Sequence, residues 1–562
     1  MMNKKKDYNL QDYALMERHQ MMRGAGYGEA ALKRPHIGVV SSWGEINPAA
    51  THIDKVADKV KAGIWAAGGT PREFVISSIC TSMAGHDNYH LPHRDLVAGY
   101  IETVAMTNLF DAMVFIPVCD DVIPGHLMAA ARLNLPSIFV TGGYMQLNCY
   151  QGEELEPLDV APKHFARFKD GEISQSVFSQ IQDRGCQGGG ACPVMGTANT
   201  MAAMAEALGM TLPGNTCTPG NDSRLMRMAF DAGQQVMQLF KEGIQCSEIL
   251  SSEAFENAIR VLMALGGSTN AVLHLQAIAL ELDLDIRPEV FTRLSEETPL
   301  LCDISPSGAP EHHMGHLDQA GGITAVMKEL EPLLATRVMT AAGETLSHTL
   351  TSAEGGDGRI IRSMANPLAQ DGGLVFLTGN LAPGGALVKK SAVPAPMQHH
   401  KGPAKVYVNE DAACQALANG EIEPGQVIIV RYVGPKGDPG MLLLQRFLWQ
   451  LAAKGWHDKV AFLTDGRFSG TNKGCGVAHI APEAAAGGPL ALVRDGDLIE
   501  IDIKKKKLEL HVSQAELDSR YETWSLPKKP RKKGYLSIYS KLATSPDKGA
   551  ALDYNIVDES GR

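Results

Sequence analysis

The sequence has no apolar run approaching the roughly 18 residues a membrane-spanning helix needs, so a membrane protein is not expected. The opening residues, "MMNKKKDYNLQDYALMERHQ", carry lysines with no apolar stretch after them and do not read as a secretory signal. Positive charge is scarce too. Lys and Arg number 52 against 63 Asp and Glu, a net charge of −11. Phosphate backbones are bound by clustered Lys and Arg, so no nucleic-acid partner is expected. Paired C-x-x-C knuckles of the zinc-ribbon kind are missing, and so is the close cysteine run of a ferredoxin. The ten cysteines stand mostly among Gly and apolar residues. That fits a reducing cytoplasm better than a disulfide framework. No internal repeat is visible.

What is present is a chain of 562 residues, too long for one hydrophobic core, with 44% hydrophobic and 20% charged residues. From Pro35 short apolar runs alternate with helical segments. "HIGVV" precedes "THIDKVADKVKAGIWAAGG", where Ile53, Val56, Val60 and Ile64 recur at helical spacing. "REFVISSIC", "DAMVFIPVC" and "SIFVTGG" continue the series with helical segments between them. Near-continuously apolar strands alternating with helices predict an α/β domain on a parallel sheet. Residues 195–345 read as mostly helical. Beyond "SAEGGDGRII" come short strands such as "QVIIVRYVG" and "KVAFLTDGRF", which predict a β-rich, barrel-like second domain. The expected divisions are a helical arm over 1–33, the α/β domain over 34–355, the β domain over 360–525 and a tail over 526–562. The tail holds the one strongly basic run, "LPKKPRKKGY", which reads as a solvated charge run.

Three cysteines stand out by context. Cys80 ends "VISSIC", Cys119 opens "CDDVIPG" after an apolar strand, and Cys192 follows a glycine run and precedes a helix. Ligands of parallel sheets gather beyond the strands' carboxyl ends, and thiolates near helix N-termini make good soft-metal ligands. Free cysteines are usually small buried hydrophobes. Taken together, though, these three suggest a cluster with an incomplete protein ligand set and an iron open to substrate. Cys186, in the same glycine-rich loop as Cys192, is the rival for the third position.

Long blocks of the chain resemble a known family. They include "HIGVVSSWGEINPAATHI", "CDDVIPGHLMAAARLNLPSIFVTGG", "ACPVMGTANTMAAMAEALGMTLPGN", "ALGGSTNAVLHL", "DGGLVFLTGNLAPGGALVK" and "LTDGRFSGTNKGCGVAHIAPEAAAGGPLALVRDGDLIEIDI". In this order they are similar to the family of dihydroxy-acid dehydratase and 6-phosphogluconate dehydratase, to which sugar-acid dehydratases also belong. The resemblance implies a hydro-lyase that converts a 2,3-dihydroxy acid into a 2-keto acid. It implies an iron–sulfur cluster beside a magnesium ion, and a homodimer or dimer of dimers. The reaction removes a weakly acidic C2 proton and a C3 hydroxyl, a poor leaving group, so it needs Lewis-acid help and a base. The resemblance makes Ser469 of "DGRFSG" that base, as its alkoxide; without it, Ser469 reads as a turn residue. Arg467 of the same loop suits a carboxylate or phosphate.

The departures from the pattern cluster at the expected site. Asp121 stands where relatives carry a lysine after Cys-Asp, often carbamylated to bind magnesium. Thr81 follows Cys80 where one branch has a metal-binding Asp, and Leu443 stands where a metal-binding Glu is usual. Ala49 occupies the place of the cysteine that marks the [2Fe–2S] branch, so Cys80, Cys119 and Cys192 imply [4Fe–4S] instead. Two readings of the magnesium site follow: a rebuilt site using Asp120 and Asp121, with Asp438 as a further donor, or an altered or lost one. His313 and Asp318 fall in register with a family segment lining the site. His312 and His316, four residues apart, offer zinc as a rival there. Ser268, Thr269 and Asn270 either contact substrate or cap the next helix. Thr81, His86, Asp87 and His90 lie where a changed substrate pocket is expected. Sugar-acid dehydration, a catalytically silent cluster-binding relative and, more weakly, an electron-transfer protein are the rival functions.

Overall fold

The computed structural model describes residues 13–554 apart from 84–86, 159, 307–311, 471–472 and 529–532. Strands β1 (His36–Ser41), β2 (Thr70–Val75), β3 (Ala112–Ile116) and β4 (Ser137–Phe139) form a parallel sheet in the order β2-β1-β3-β4. Every residue of β1 and β3 is buried, which is why neither shows polar alternation. Helices α1 (Ile53–Ala66), α2 (His90–Asn108) and α3 (Val122–Leu133) connect them. The chain steps from β1 outward to β2, then reverses past β1 to β3. Right-handed crossovers therefore set α1 on one face and α2 and α3 on the other. That reversal opens a crevice beyond the carboxyl ends of β1 and β3.

The expected helical region follows, with α4 (Thr197–Ala207), α5 (Ser223–Glu242), α6 (Ser252–Leu265) and α7 (Asn270–Leu280). Helices α1 and α5 pack through glycines. A Cβ on Gly63 would lie 2.0 Å from the Phe230 carbonyl oxygen, and one on Gly233 would lie 2.2 Å from that of Val60. All eleven residues of α4 are buried, so this helix runs through the core.

The second domain is a closed barrel. Strands β5 (Leu374–Gly379), β6 (Ala382–Lys389), β7 (His399–Tyr407), β8 (Val427–Val430), β9 (Ala461–Thr464), β10 (Gly476–Ala481), β11 (Leu498–Asp502) and β12 (Lys507–Leu510) run in the order β8-β9-β10-β6-β5-β12-β11-β7, and β7 pairs back onto β8. Val427 and Ile429 join one core, Ile428 and Val430 another that includes residues of helices α8 (Glu410–Ala418) and α9 (Arg446–Ala453). Burial on both faces accounts for the unbroken "VIIV".

Lys528 in the basic run is exposed. Among the described residues beyond it, the chain over 535–553 packs on the fold. Helix α10 (Tyr535–Leu542) buries Leu536 and Tyr539, and Gly549 and Ala550 pass close over α7 and α2. Buried apolar surface, which the lysines and arginine before it mask in the composition, holds this strap down.

Candidate active site

Loops from both domains meet above the crevice. Cys80 lies beyond β2 and Cys119 beyond β3, while Cys192 precedes the buried helix α4. Cys119 has φ +81, a left-handed backbone that a non-glycine residue adopts only when its surroundings hold it there. Its thiol donates to the Cys80 sulfur, which holds Cys80 below the ordinary thiol range and pushes Cys119 above it. Burial, then the neighbouring Cys80 and Asp120, pushes Cys192 up. The three sulfurs thus feel one another, as the ligand reading requires. Among the described residues, the one group of three or more ligating side chains with donor atoms all within 4.8 Å is His399, Glu500 and Asp502. The three thiols are therefore spread more widely than ligands of one ion. Cys186 is exposed, with its sulfur 4.0 Å from that of Met145.

Asp120 accepts a hydrogen bond from the Ala198 backbone N–H at the start of α4; burial, then Asp121 and Cys80, push its carboxyl up to about 7. Asp121 is 3% exposed. Its Oδ1 lies 3.5 Å from Arg467 Nη1 and 3.5 Å from His274 Nε2. Burial raises this carboxyl, but Arg467, His274, His90 and Arg94 outweigh burial and leave it below the usual range. Arg94 Nη1 donates to His274 Nδ1 at 3.4 Å. Since an arginine only donates, His274 carries its proton on Nε2, facing Asp121.

Arg467 is itself fully buried, with Nε donating to the Met441 carbonyl at 2.9 Å. Its Nη2 has no hydrogen-bond partner among the described residues, and the same holds for His274 Nε2, His479 Nε2, Thr269 Oγ1 and Asn270 Oδ1. Buried polar atoms are nearly always satisfied, so an open Nη2 on a buried guanidinium, with orphan nitrogens on His274 and His479 that feel its charge, marks a place for a polar ligand. Ser469 lies between two anchored neighbours. The Phe468 carbonyl accepts from Asn270 Nδ2 at 3.2 Å, and the Gly470 carbonyl accepts from Lys389 Nζ at 3.3 Å. Gly470 packs so closely that an added Cβ would lie 3.0 Å from Ser268 Oγ.

The remaining sequence candidates divide. Ser268 is engaged within its loop, sharing a hydrogen bond with Thr197 at 2.9 Å and accepting from the Asn270 N–H at 3.3 Å. Thr81 lies half-buried in the turn after Cys80. His313 is buried in a segment tied to the Cys192 loop by the Met314 N–H on the Pro193 carbonyl, 2.9 Å. Asp318 is held by both guanidinium nitrogens of Arg224, at 3.1 and 2.7 Å. His316 Nδ1 accepts from the His313 N–H and His312 Nδ1 contacts the Asp303 carbonyl, so these rings serve the local turn rather than zinc. His90 is buried near Asp121, and His86 lies outside the described residues. His274 and Lys389 were missed. Lys389 is the one polar residue of its strand and His274 stands with Asn270 and Gln276 in an otherwise apolar helix; the signal was a basic side chain closing the buried run "GGALVK" and a histidine inside "NAVLHL".

Mg²⁺ can be held by one or two carboxylates with water and substrate, so Asp120 and Asp121 would suffice in number, but their setting opposes it. Position 443 is a leucine in the buried wall, and Asp121 faces a fixed guanidinium. A doubly charged ion about 5 Å from that cation would be repelled by roughly 6 kcal/mol at an effective dielectric constant of 20.

Comparison with known proteins decides the family. The model of the dihydroxy-acid/6-phosphogluconate dehydratase N-terminal domain matches residues 34–349, and that of the C-terminal domain matches residues 359–550. The chain belongs to this dehydratase family. It is 44% identical over 538 residues to the dihydroxy-acid dehydratase of Acetivibrio thermocellus and 43% identical to that of Moorella thermoacetica, covering 95% of this chain and 97% of each relative. The dihydroxy-acid dehydratase of Methanothrix thermoacetophila is 42% identical with the same coverage. Membership makes the chain a hydro-lyase of a family that generally depends on metals or iron–sulfur clusters. His399, Glu500 and Asp502 belong to a different setting, an exposed network on the barrel where Lys401 and His511 share Glu500.

Proposed function

We propose that the chain dehydrates a 2,3-dihydroxy carboxylate to a 2-keto acid, with Cys80, Cys119 and Cys192 holding an iron–sulfur cluster and Ser469 serving as base. The observation that carries this reading is the convergence of the three thiols, the Ser268–Asn270 loop and the Arg467–Gly470 loop on one crevice. When bound, the cluster supplies a Lewis-acidic iron for the C3 oxygen; three protein ligands leave one iron of a [4Fe–4S] cluster open. The chain's own groups do the rest. Arg467 presents its Nη2 to the substrate carboxylate as a charge-assisted donor. Ser469, as alkoxide, takes the C2 proton. The C2–H electron pair becomes the C2–C3 double bond as the C3–O bond breaks. Hydroxide and proton leave as water, and the enol tautomerises to the keto acid. The buried walls around Asp121 and Lys389 keep bulk water away from the acid–base groups.

Anaerobic purification, iron and sulfide determination, and a screen of branched dihydroxy acids and sugar acids for keto-acid formation test this. The expected result is stoichiometric cluster with turnover, and Ser469→Ala lowering kcat at least about 100-fold while cluster absorbance is kept. Absence of iron and acid-labile sulfide even after reconstitution would overturn the reading. A silent cluster-binding relative would show absorbance but no turnover to lose.

A further inference from the structure

The feature left unexplained is a buried ion pair at the centre of the crevice. Arg467 and Asp121 are 2% and 3% exposed, and their charged atoms stand 3.5 Å apart without a proper hydrogen bond. A pair built for stability alone would close into a bidentate contact, as buried charges repay their desolvation only with good geometry. This one is splayed. Arg467 is steadied from behind by the Met441 carbonyl, and Asp121 is faced by His274 and then Arg94. The guanidinium is therefore fixed in direction with Nη2 left open, and Asp121 Oδ1, His274 Nε2 and His479 Nε2 near it are also without hydrogen-bond partners among the described residues. Such an arrangement is preorganised for an anion with a hydroxyl beside it, which is a 2-hydroxy carboxylate.

We propose that Arg467, with Asp121 as its fixed counter-ion, binds the substrate's carboxylate and 2-oxygen in place of a divalent cation, so that this crevice works without a second metal. This rests on the dehydratase reading for its substrate, but not for its binding chemistry. With Nε held by Met441 and Nη1 beside Asp121, Nη2 is the donor left for a substrate oxygen, and its bond to a carboxylate is charge-assisted. Asp121 balances the charge while the crevice is empty and keeps the pocket from attracting a hard cation, because the guanidinium occupies its open side.

The test uses the full-length protein with its cluster. One arm titrates wild type with Mn²⁺, a paramagnetic stand-in for a hard divalent ion, followed by electron paramagnetic resonance. The expected result is no stoichiometric binding at millimolar Mn²⁺ and turnover unchanged by a chelator of magnesium. One equivalent of bound Mn²⁺ whose removal abolishes anion binding would overturn the proposal. The other arm measures, by calorimetry, binding of 2-hydroxybutanoate, which has no C3 hydroxyl to lose. Arg467→Lys, which keeps the charge but loses the fork, should weaken binding at least tenfold, and Arg467→Gln more, with cluster absorbance retained. Equal binding by wild type and both variants would also overturn it. A wild type that binds this probe through Arg467 yet dehydrates nothing keeps the clamp and removes the dehydratase reading. Turnover that needs a divalent ion does the reverse.

Discussion

Lys389 closes a strand whose other neighbours are apolar, and its amine is fully buried against the Gly470 carbonyl. Burial pushes its pKa from 10.5 down to about 7. Between those values the folded chain holds the amine neutral while the unfolded chain holds it charged, so the unfolded state binds more protons and stability rises with pH. The slope is at most about 1.4 kcal/mol per pH unit. Lys389→Met should lose this dependence, which denaturant unfolding from pH 7 to 9 would show as a widening gap in favour of wild type. The same variant frees the Gly470 carbonyl beside Ser469, and kcat should drop by about tenfold for one lost hydrogen bond. At this scale legibility in the sequence was uneven. Cys119, Asp121 and Arg467 stood in motifs long enough to be placed. His274 and Lys389 did not, because a polar residue in a mostly apolar element looks like a core position until the fold shows what faces it. Asp318 failed the other way: its motif was in register, but Arg224 occupies it.

Among elements, those held by local periodicity were readable in advance. The Ile53, Val56, Val60 and Ile64 stripe does form α1, with all four residues buried. The strand order was not readable, since the reversal between β1 and β3 and the closure of β7 onto β8 are set by contacts distant in sequence. The crossing of α1 and α5 is one such contact. Glycine at 63 and 233 lets the two backbones approach to a distance no Cβ tolerates. Gly63→Ala should therefore cost about 3 kcal/mol by forcing the helices apart, despite alanine's better helix propensity. A lowered denaturation midpoint with unchanged cluster absorbance per folded molecule is the expected outcome. A stabilised variant would mean the helices separate freely.

Taken as a whole, the molecule ties its C-terminal strap to the crevice. Arg94, fully buried, donates to the carbonyls of Gly549 and Ala550 at 3.1 and 3.0 Å, and Asp95 accepts from the Leu552 N–H at 2.9 Å. Tyr539 donates to the Ala550 carbonyl at 2.6 Å, and Gln276 to that of Asp547 at 2.8 Å. From Arg94 the contacts run through His274 to Asp121 and Arg467. Deleting residues from Tyr535 onward leaves the buried Arg94–Asp95 pair without the two carbonyls and the N–H that satisfy it, a loss of about 3–5 kcal/mol for three hydrogen bonds to charged groups. Thermal unfolding should show that loss, and turnover should fall with it. Since sequence alone read this region as a solvated tail, the coupling could come only from the fold. It also sets an order in time. During synthesis the α/β domain emerges first, yet the Gly549 and Ala550 carbonyls reach its buried Arg94–Asp95 pair only hundreds of peptide bonds later. A nascent chain therefore carries an unfinished crevice, whatever the state of its sheet, until residues 549–552 have been made and have docked.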